Sequence, residues 1–575
     1  MINWQADRNM KVKIHREGTH IPGYTDFLRY PELVRAIRGE VHVGGTNEIN
    51  VPFGDCISVK EFDDFGRAIV NSPVLTSLEL SGSEVGREGD FRDKHIDYEL
   101  KLLEIMNVNR TIQHLCLHDI NGGEAIRRLQ PFLEENDNLQ SFEGTEIDPF
   151  TPDNMCSFMS SLSCRRIPLE KVSFSTCIGK DAIKEMVSFF KTYPKMTPRS
   201  ISLAGCQIGD ECCSLLSEII DNTNTNLEEM DLLGNNMTPL GFRCIAAALI
   251  QRNRPMKLLN MGTSSENDFA NDNEVIAFLG EFSSKPDLLP DKLVFGGNHI
   301  GPNALRRLGY VLSNRSFPLE MLGLRYDFLD RGGLRAFLDP LYLSPQNAPR
   351  NLDFFDTDLF DGSHMAPAVA LSQFLLRPNC SVEIISIKND EFQLDDEKME
   401  LFVNVIETNQ TLRKLAIASQ DVITFDKWND LASILCKRSS IVDTYASNHS
   451  IFHFGRDPRQ HPYTIRAFLD MNALPDKRMV GRMKVIHAHF ASNFDVGQFI
   501  DMPPCHMAEL LPRINEAFQE LFFLLVRSFV MVEVNHICRG EHNSLSIHYL
   551  ILKNNLTIFH SVIHSRRKRA QSKAN

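Results

Sequence analysis

Residues 227–241 read LEEMDLLGNNMTPLG, and this stretch decides how the rest of the chain is read. Leu227, Met230 and Leu232 fall at the first, fourth and sixth places, Asn235 at the ninth and Met237 at the eleventh. Apolar residues two apart put two side chains on one face of a short strand. A ninth-place asparagine suits the exit from that strand, because its amide can satisfy turn backbone groups. The eleventh residue drops back into the core. The next segment, GFRCIAAALIQRN, reads as a helix that returns the chain for a parallel strand. One such unit cannot bury its own apolar face, so the phrase predicts a stack of units.

Working outward, the phrase begins again at Leu75, Ile112, Leu139, Leu169, Pro198, Leu227, Met256, Pro290, Leu319, Pro349, Val382, Leu412 and Ile441. Most starts lie 29 or 30 residues apart, a length that leaves room for a full helix after each strand. Two units are degenerate. The one at Leu139 lacks residues, and the one at Ile441 places Thr444 and Ala446 in the core, so irregular geometry is expected at both. The best-formed units carry Ile-Gly at the strand-to-helix turn. Gly209 and Gly301 there suit unusual φ or close backbone approach, and Asp210 and Asn303 sit where helix N-termini need acceptors. Longer intervals predict loops around 86–95 and over the polar, acidic 263–274.

The residues Leu227, Met230, Leu232 and Asn235, then Leu293, Phe295, Asn298, Ile300 and Gly301, then Leu319, Leu322 and Leu324, then Leu412, Leu415 and Ile417 carry a resemblance. This part of the chain, roughly two-thirds of it, resembles the ribonuclease-inhibitor-like leucine-rich repeat proteins. The resemblance implies an α/β solenoid, a horseshoe with a parallel concave sheet and convex helices, capped at both ends. It covers ribonuclease inhibitors, GTPase activators, nucleotide-oligomerisation receptors and ubiquitin-ligase adaptors. Neither a P-loop nor an F-box-like segment accompanies the repeats, which weighs against the last two.

Four segments follow. Residues 1–74 form an N-terminal cap, 75–451 the repeats, 452–565 a helical C-terminal cap and 566–575 a basic tail. Within the first, residues 1–50 are polar and irregular, with a hairpin from Val41 and Val43 through Gly44-Gly45 to Ile49 and Val51. An amphipathic helix follows, with Phe62, Phe65, Ile69 and Val70 on one side. In the third, Met479, Met483, Ile486 and Phe490 lie at helical spacing and read as core, with Val485, Phe494 and Phe499 as contributors. The tail carries five cations at Arg566, Arg567, Lys568, Arg569 and Lys573 and reads as a solvated tail, with nuclear import as the alternative.

A formal net charge of −13 over 575 residues weighs against a nucleic-acid partner. The longest apolar run, Leu521 to Val534, is short and contains Arg527 and Glu533, so it reads as a buried helix and no membrane span is expected. The first residues lack a secretory apolar core, and with 13 cysteines this implies reduced thiols inside the cell, in the cytoplasm. The sequons Asn409-Gln410-Thr411 and Asn109-Arg110-Thr111 then read as helix ends preceding a strand.

Chemistry has few footholds. His536, Cys538 and His542 match no closed zinc motif; His487 and His489 diverge on a helix; His560 and His564 lack the intervening glutamate; Cys212-Cys213 reads as helix core. Without a nucleophile elbow, dinucleotide fingerprint or kinase set, no enzyme and no cofactor or metal is expected. Places three, five and seven of each unit point away from the core and predict a binding face roughly 60 Å long over thirteen strands. It includes Glu79, His114, His118, Glu143, Lys171, Glu229, Asp231, Asn260, Arg325, Asn351, Asp353, Phe355, Lys388 and Lys414. Glu229 with Asp231 forms an acidic group. Arg325, Tyr326, Asp353 and Phe355 combine charge with aromatic area, as binding hot spots do. The leading expectation is a non-enzymatic scaffold holding a protein partner on this face. The resemblance also admits a small-GTPase regulator like the Ran GTPase-activating proteins, against which the basic rather than acidic end counts. Self-assembly through the caps is a third reading.

Overall fold

The computed structural model describes residues within 10–490, leaving out 17–33, 36, 39–47, 54–58, 82–100, 119–121, 146–149, 177, 263–271, 297–299, 326–331, 356–364, 389–393, 419–422 and 456–460, as well as 1–9 and 491–575. The strands are β1 (Met10–Arg16), β2 (Glu48–Phe53), β3 (Leu75–Ser81), β4 (His114–His118), β5 (Ser141–Thr145), β6 (Lys171–Ser175), β7 (Ser200–Ser202), β8 (Glu229–Leu233), β9 (Leu258–Gly262), β10 (Lys292–Gly296), β11 (Met321–Arg325), β12 (Asn351–Phe355), β13 (Ile384–Lys388), β14 (Lys414–Ala418) and β15 (His453–Gly455). The chain divides into two units, Met1–Ser381 and Val382–Asn575.

In the first unit the sheet order is β12-β11-β10-β9-β8-β7-β6-β5-β4-β3-β1-β2, and in the second β15-β14-β13. Neighbours within each unit run parallel, for example Met230 beside Leu259 and Leu322 beside Leu352. Helices alternate with the strands, among them Asp210–Ile220, Pro239–Arg252 and Pro302–Ser313. This is a leucine-rich repeat solenoid.

The repeat phrase explains why these residues fold this way. Leu227, Met230 and Leu232 are fully buried, and Phe242, Ile245 and Leu249 of the following helix pack over the same core. Asn235, also fully buried, donates to the carbonyls of Leu203 and Leu232, both at 2.9 Å, and accepts from the Ile208 N–H at 2.9 Å. The ninth-place amide therefore closes its own turn and ties it to the preceding repeat. Asn109 and Asn409 do end helices ahead of strands, and both are buried.

The unit at Leu139 keeps a regular strand in register on both sides. Gly144 leaves a core place empty, and its register partner Phe174 lies 5.6 Å from Phe158 and 5.9 Å from Phe142, ring to ring, so aromatic bulk fills that layer. Gly209 and Gly301 adopt ordinary negative φ; left-handed positions in these turns include Gly205 (φ 68°), Gln207 (φ 53°) and Gly234 (φ 73°). Close approach does hold at Gly301, where an added Cβ would stand 2.8 Å from an Asp272 oxygen. Asp210 caps not its own helix but the next, accepting from the N–H groups of Thr238 and Gly241, each at 2.9 Å.

Three further expectations need correction. The first concerns the N-terminal segment, expected to be irregular over 1–50: residues 10–16 form β1, inserted parallel between β2 and β3, and Ile49 and Val51 lie in β2 beside Val12 and Ile14. Val41 and Val43 lie outside the described residues. The helix after it spans Val59–Val70 and buries Phe65 and Ile69.

The second concerns the unit at Ile441. Ile441–Tyr445 is a short helix, capped by the Ser440 hydroxyl accepting from the Asp443 N–H. The last strand among the described residues is β15, ten residues on, with Ile451 and Phe454 in the core. The third concerns the methionine stripe. Helix Lys477–Val485 buries Val480, Gly481, Lys484 and Val485, while Met479 and Met483 are half-buried. Lys484, whose Nζ donates to the carbonyls of Leu435 and Asn448, sits on the buried face where the methionine stripe was expected.

Candidate protein-binding face

The candidate site is the sheet face turned away from the helices in the first unit. Its middle row, one residue per strand, is in register from Glu79 through Cys116, Glu143, Ser173, Ser202, Asp231, Asn260, Val294 and Gly323 to Asp353. Nine strand spacings carry this row about 43 Å.

The acidic pair of residues 229 and 231 sits in the middle of the row. Asp231 accepts from the Leu233 N–H at 3.0 Å and, more weakly, from the Ser202 hydroxyl at 3.4 Å, so its carboxylate is held upright on the sheet. Beside it in register is Asn260, whose side-chain oxygen is buried without a hydrogen-bond partner among the described residues. Glu229 follows Glu228, which bonds Lys257 at 2.7 Å and Arg199 at 2.5 Å; those bonds, Lys257 first, hold the Glu228 carboxyl below its ordinary value. The neighbouring charge is thus neutralised at the rim, and Glu229 and Asp231 supply the local negative field.

The second group is less compact than expected. Arg325 and Phe355 are direct register partners on β11 and β12, and Asp353 lies opposite Gly323. Tyr326 lies outside the described residues. Four strand spacings, about 19 Å, separate Asp353 from Asp231, so the two groups are not one site. Between them the row dips: Val294 is buried, and a Cβ added to Gly323 would meet its methyl carbon at 3.0 Å. Reading for charge passes over these two positions; the fifth-place periodicity alone would have found them.

Elsewhere on the face the His114 ring lies 2.8 Å from the Ser141 hydroxyl, and Lys171 pairs with Glu143 at 3.7 Å. Asn351 lies beside Met321. His118 lies beside Thr145 on β4 and β5. Lys388 and Lys414 belong to the second unit, on β13 and β14.

Among the described residues no group of three His, Cys, Asp or Glu side chains is placed to hold a metal ion, and no helix is long and apolar enough to cross a membrane. His487 and His489 serve separate contacts: the first packs edge-on against Phe468, the second meets the Thr444 hydroxyl at 2.8 Å. Cys212 and Cys213 are buried, and burial pushes the Cys213 thiol up to about 12. The run 521–534, His536, Cys538, His542, His560, His564, Phe494, Phe499 and the basic tail lie outside the described residues.

No family model matches the chain, and no curated protein matches it. Among solved structures it is similar to a chain of the crystal structure of the Rad7 and Elc1 complex in yeast, at 14% identity and a TM-score of 0.39, over 69% of this chain and 89% of that one. A likeness at that level carries no argument about partner or activity, and the assignment to leucine-rich repeat architecture rests on the strands, helices and buried phrase of this chain itself.

Proposed function

We propose that this protein is a non-enzymatic scaffold that holds a protein partner on the sheet face of its first unit. The supporting observation is the register: the middle row carries Asp231 and Asn260 at one station, with Glu229 on the same strand, and Asp353 at another, with positions 325 and 355 paired on β11 and β12, the low Val294–Gly323 step lying between. Stations of this kind offer a partner charge, aromatic area and a shallow apolar floor at fixed spacing. The repeat length favours the ribonuclease-inhibitor-like class, and the cysteine usage favours a cytoplasmic location, with the basic tail admitting nuclear entry.

Capture of the intact protein from its own cells, with Arg325→Glu, Phe355→Ala and Asp231→Lys variants alongside, tests the assignment. Arg325→Glu is expected to reduce the dominant partner's recovery at least about tenfold, the effect of removing one interfacial hot spot. Recovery unchanged in all three variants moves the partner off this face.

A further inference from the structure

The last described α-helix of the second unit is seated in a joint that buries several bases. Helix Lys477–Val485 packs against helices Ile441–Tyr445 and Tyr463–Asn472. Its Lys484 is fully buried, and its Nζ donates to the carbonyls of Leu435 at 2.5 Å and Asn448 at 2.7 Å, two acceptors for the two N–H groups of a neutral amine. Lys477, at the start of the helix, donates to the carbonyl of Asn472 at 2.6 Å. His449 meets the Tyr445 carbonyl through Nε2 at 3.1 Å, and its Nδ1 is buried without a partner among the described residues. His487 also has a buried Nδ1 without such a partner. Gly481 lets the helix approach closely, since an added Cβ would stand 2.9 Å from the Tyr445 ring and 3.3 Å from His449.

The groups whose charges act on these bases are themselves bases or a thiol: Lys477 and Cys436 on Lys484, Lys484 and Lys477 on His449, Arg438 on His487. The nearest carboxylate on the adjoining short helix, Asp443, is engaged by the Ser439 and Ser440 hydroxyls. No charged acid in this set offsets protonation of the joint.

We propose that residues 477–490 form an acid-released latch on the last repeat of the second unit, held while Lys484, His449 and His487 stay uncharged together and freed as they gain protons. The sign follows from the burial of each group. Burial, the main cause, lowers Lys484 from 10.5 to about 7 and His449 from 6.5 to about 4, and also lowers His487. Released, all three regain ordinary values, so the open form binds more protons. Closed-form stability is fullest above the open-form values and falls as pH drops toward the closed-form ones. Between about pH 8 and about pH 5.5 the open fraction rises roughly tenfold from Lys484 and roughly tenfold from His449, about a hundredfold together.

Cys436 reports the opening, because it is buried with its sulfur 4.0 Å from the Lys484 carbonyl oxygen. Labelling of the full-length protein with 4,4′-dithiodipyridine, normalised to glutathione and read by peptide mass spectrometry, measures it. Cys213, buried in the first unit, is the control for global unfolding. Expected are a rise of about a hundredfold in Cys436 labelling over that pH range, a flat Cys213, and a rise of only about tenfold in His449→Gln and in Lys484→Met. Should Lys484→Met stand open at every pH through loss of its two carbonyl bonds, His449→Gln alone decides. Equal Cys436 rates at the two pH values, a Cys213 rate that climbs in step, or a full hundredfold rise retained in His449→Gln each overturn the latch.

Discussion

Two of the kinds of junction by which the repeats enter their strands contrast sharply, and the contrast shows how one fold solves one problem with opposite chemistry. Ahead of β4, β14 and β15 stands a buried asparagine: Asn109, Asn409 and Asn448. Asn448 donates to the carbonyls of Ile406 and Asn409 and accepts from the N–H groups of Ser450 and Ile451. Ahead of β6, β9 and β11 stands a buried arginine: Arg165, Arg252 and Arg315. Arg165 donates to the carbonyls of Leu133, Asn136, Leu139 and Ile167. An amide offers both donor and acceptor, so it closes the junction alone. A guanidinium offers donors only, and the orphaned N–H must be met from elsewhere; Asp287 meets that of Ser316 at 2.7 Å beside Arg315. The arginine junction also buries a charge: burial outweighs the pull of the nearby carboxylates Asp137, Glu228 and Asp287 and takes all three guanidinia below their ordinary values, Arg252 to about 10.

The asparagine junction is therefore the less forgiving of a change in polarity, and the arginine junction of a change in reach. Asn448→Asp should have the largest effect. It places a carboxylate against two carbonyl oxygens in a fully buried site, at a cost of about 4 kcal/mol in the stability of the second unit. Such a carboxyl titrates above its unfolded value in the fold, so the loss shrinks as pH falls through that raised value. Urea unfolding at two pH values measures both; a loss below about 1 kcal/mol would mean that Asn448 does not hold the junction. Arg165→Met comes next. It keeps the buried stem and leaves four carbonyls to share fewer donors, for about 3 kcal/mol, read as faster amide exchange around β5 and β6. An Arg165→Lys variant should recover only a minor part, because one ammonium cannot span what a fork spans.

Much of this architecture was legible along the chain, and the reasons for the exceptions are physical. Twelve strands announce themselves because their first, fourth and sixth places must all be apolar to fill a shared core. The thirteenth was misplaced because Ser440 and Asp443 make a helix start of the stretch at Ile441, while Gly455 and the short β15 weaken the real phrase at Ile451. The junction asparagine would have found it: Asn448-His-Ser-Ile451 repeats the form of Asn109-Arg-Thr-Ile112 and Asn409-Gln-Thr-Leu412. Lys484 hid the buried face of its helix because hydrophobic periodicity does not foresee a lysine whose Nζ is met by two carbonyls. For the candidate face, periodicity placed Glu229, Asp231, Asn260 and Asp353 on the strands they occupy. It could not rank them, since binding to a partner imposes no period and the sheet needs none of these side chains to fold.

The smallest effect isolates the extra acceptor that an arginine junction requires. Asp287 is exposed, yet it accepts from both the N–H and the hydroxyl of Ser316, each at 2.7 Å, and the backbone bond is the chief reason its carboxyl lies below the ordinary value. Because the folded value is depressed, the stability it adds is present above the unfolded carboxylate range and disappears as pH falls through the folded value. Asp287→Ala should remove about 1 kcal/mol or less at neutral pH, discounted for solvent screening, and nothing once the wild-type carboxyl is protonated. Asp287→Asn keeps the acceptor without the charge and should recover most of the loss while flattening the acid dependence. If Asn matches Ala instead, the contribution at this junction is electrostatic, through the carboxylate's proximity to the buried Arg315, and the division of labour between acceptor and guanidinium fails at the place where it is most exposed to test.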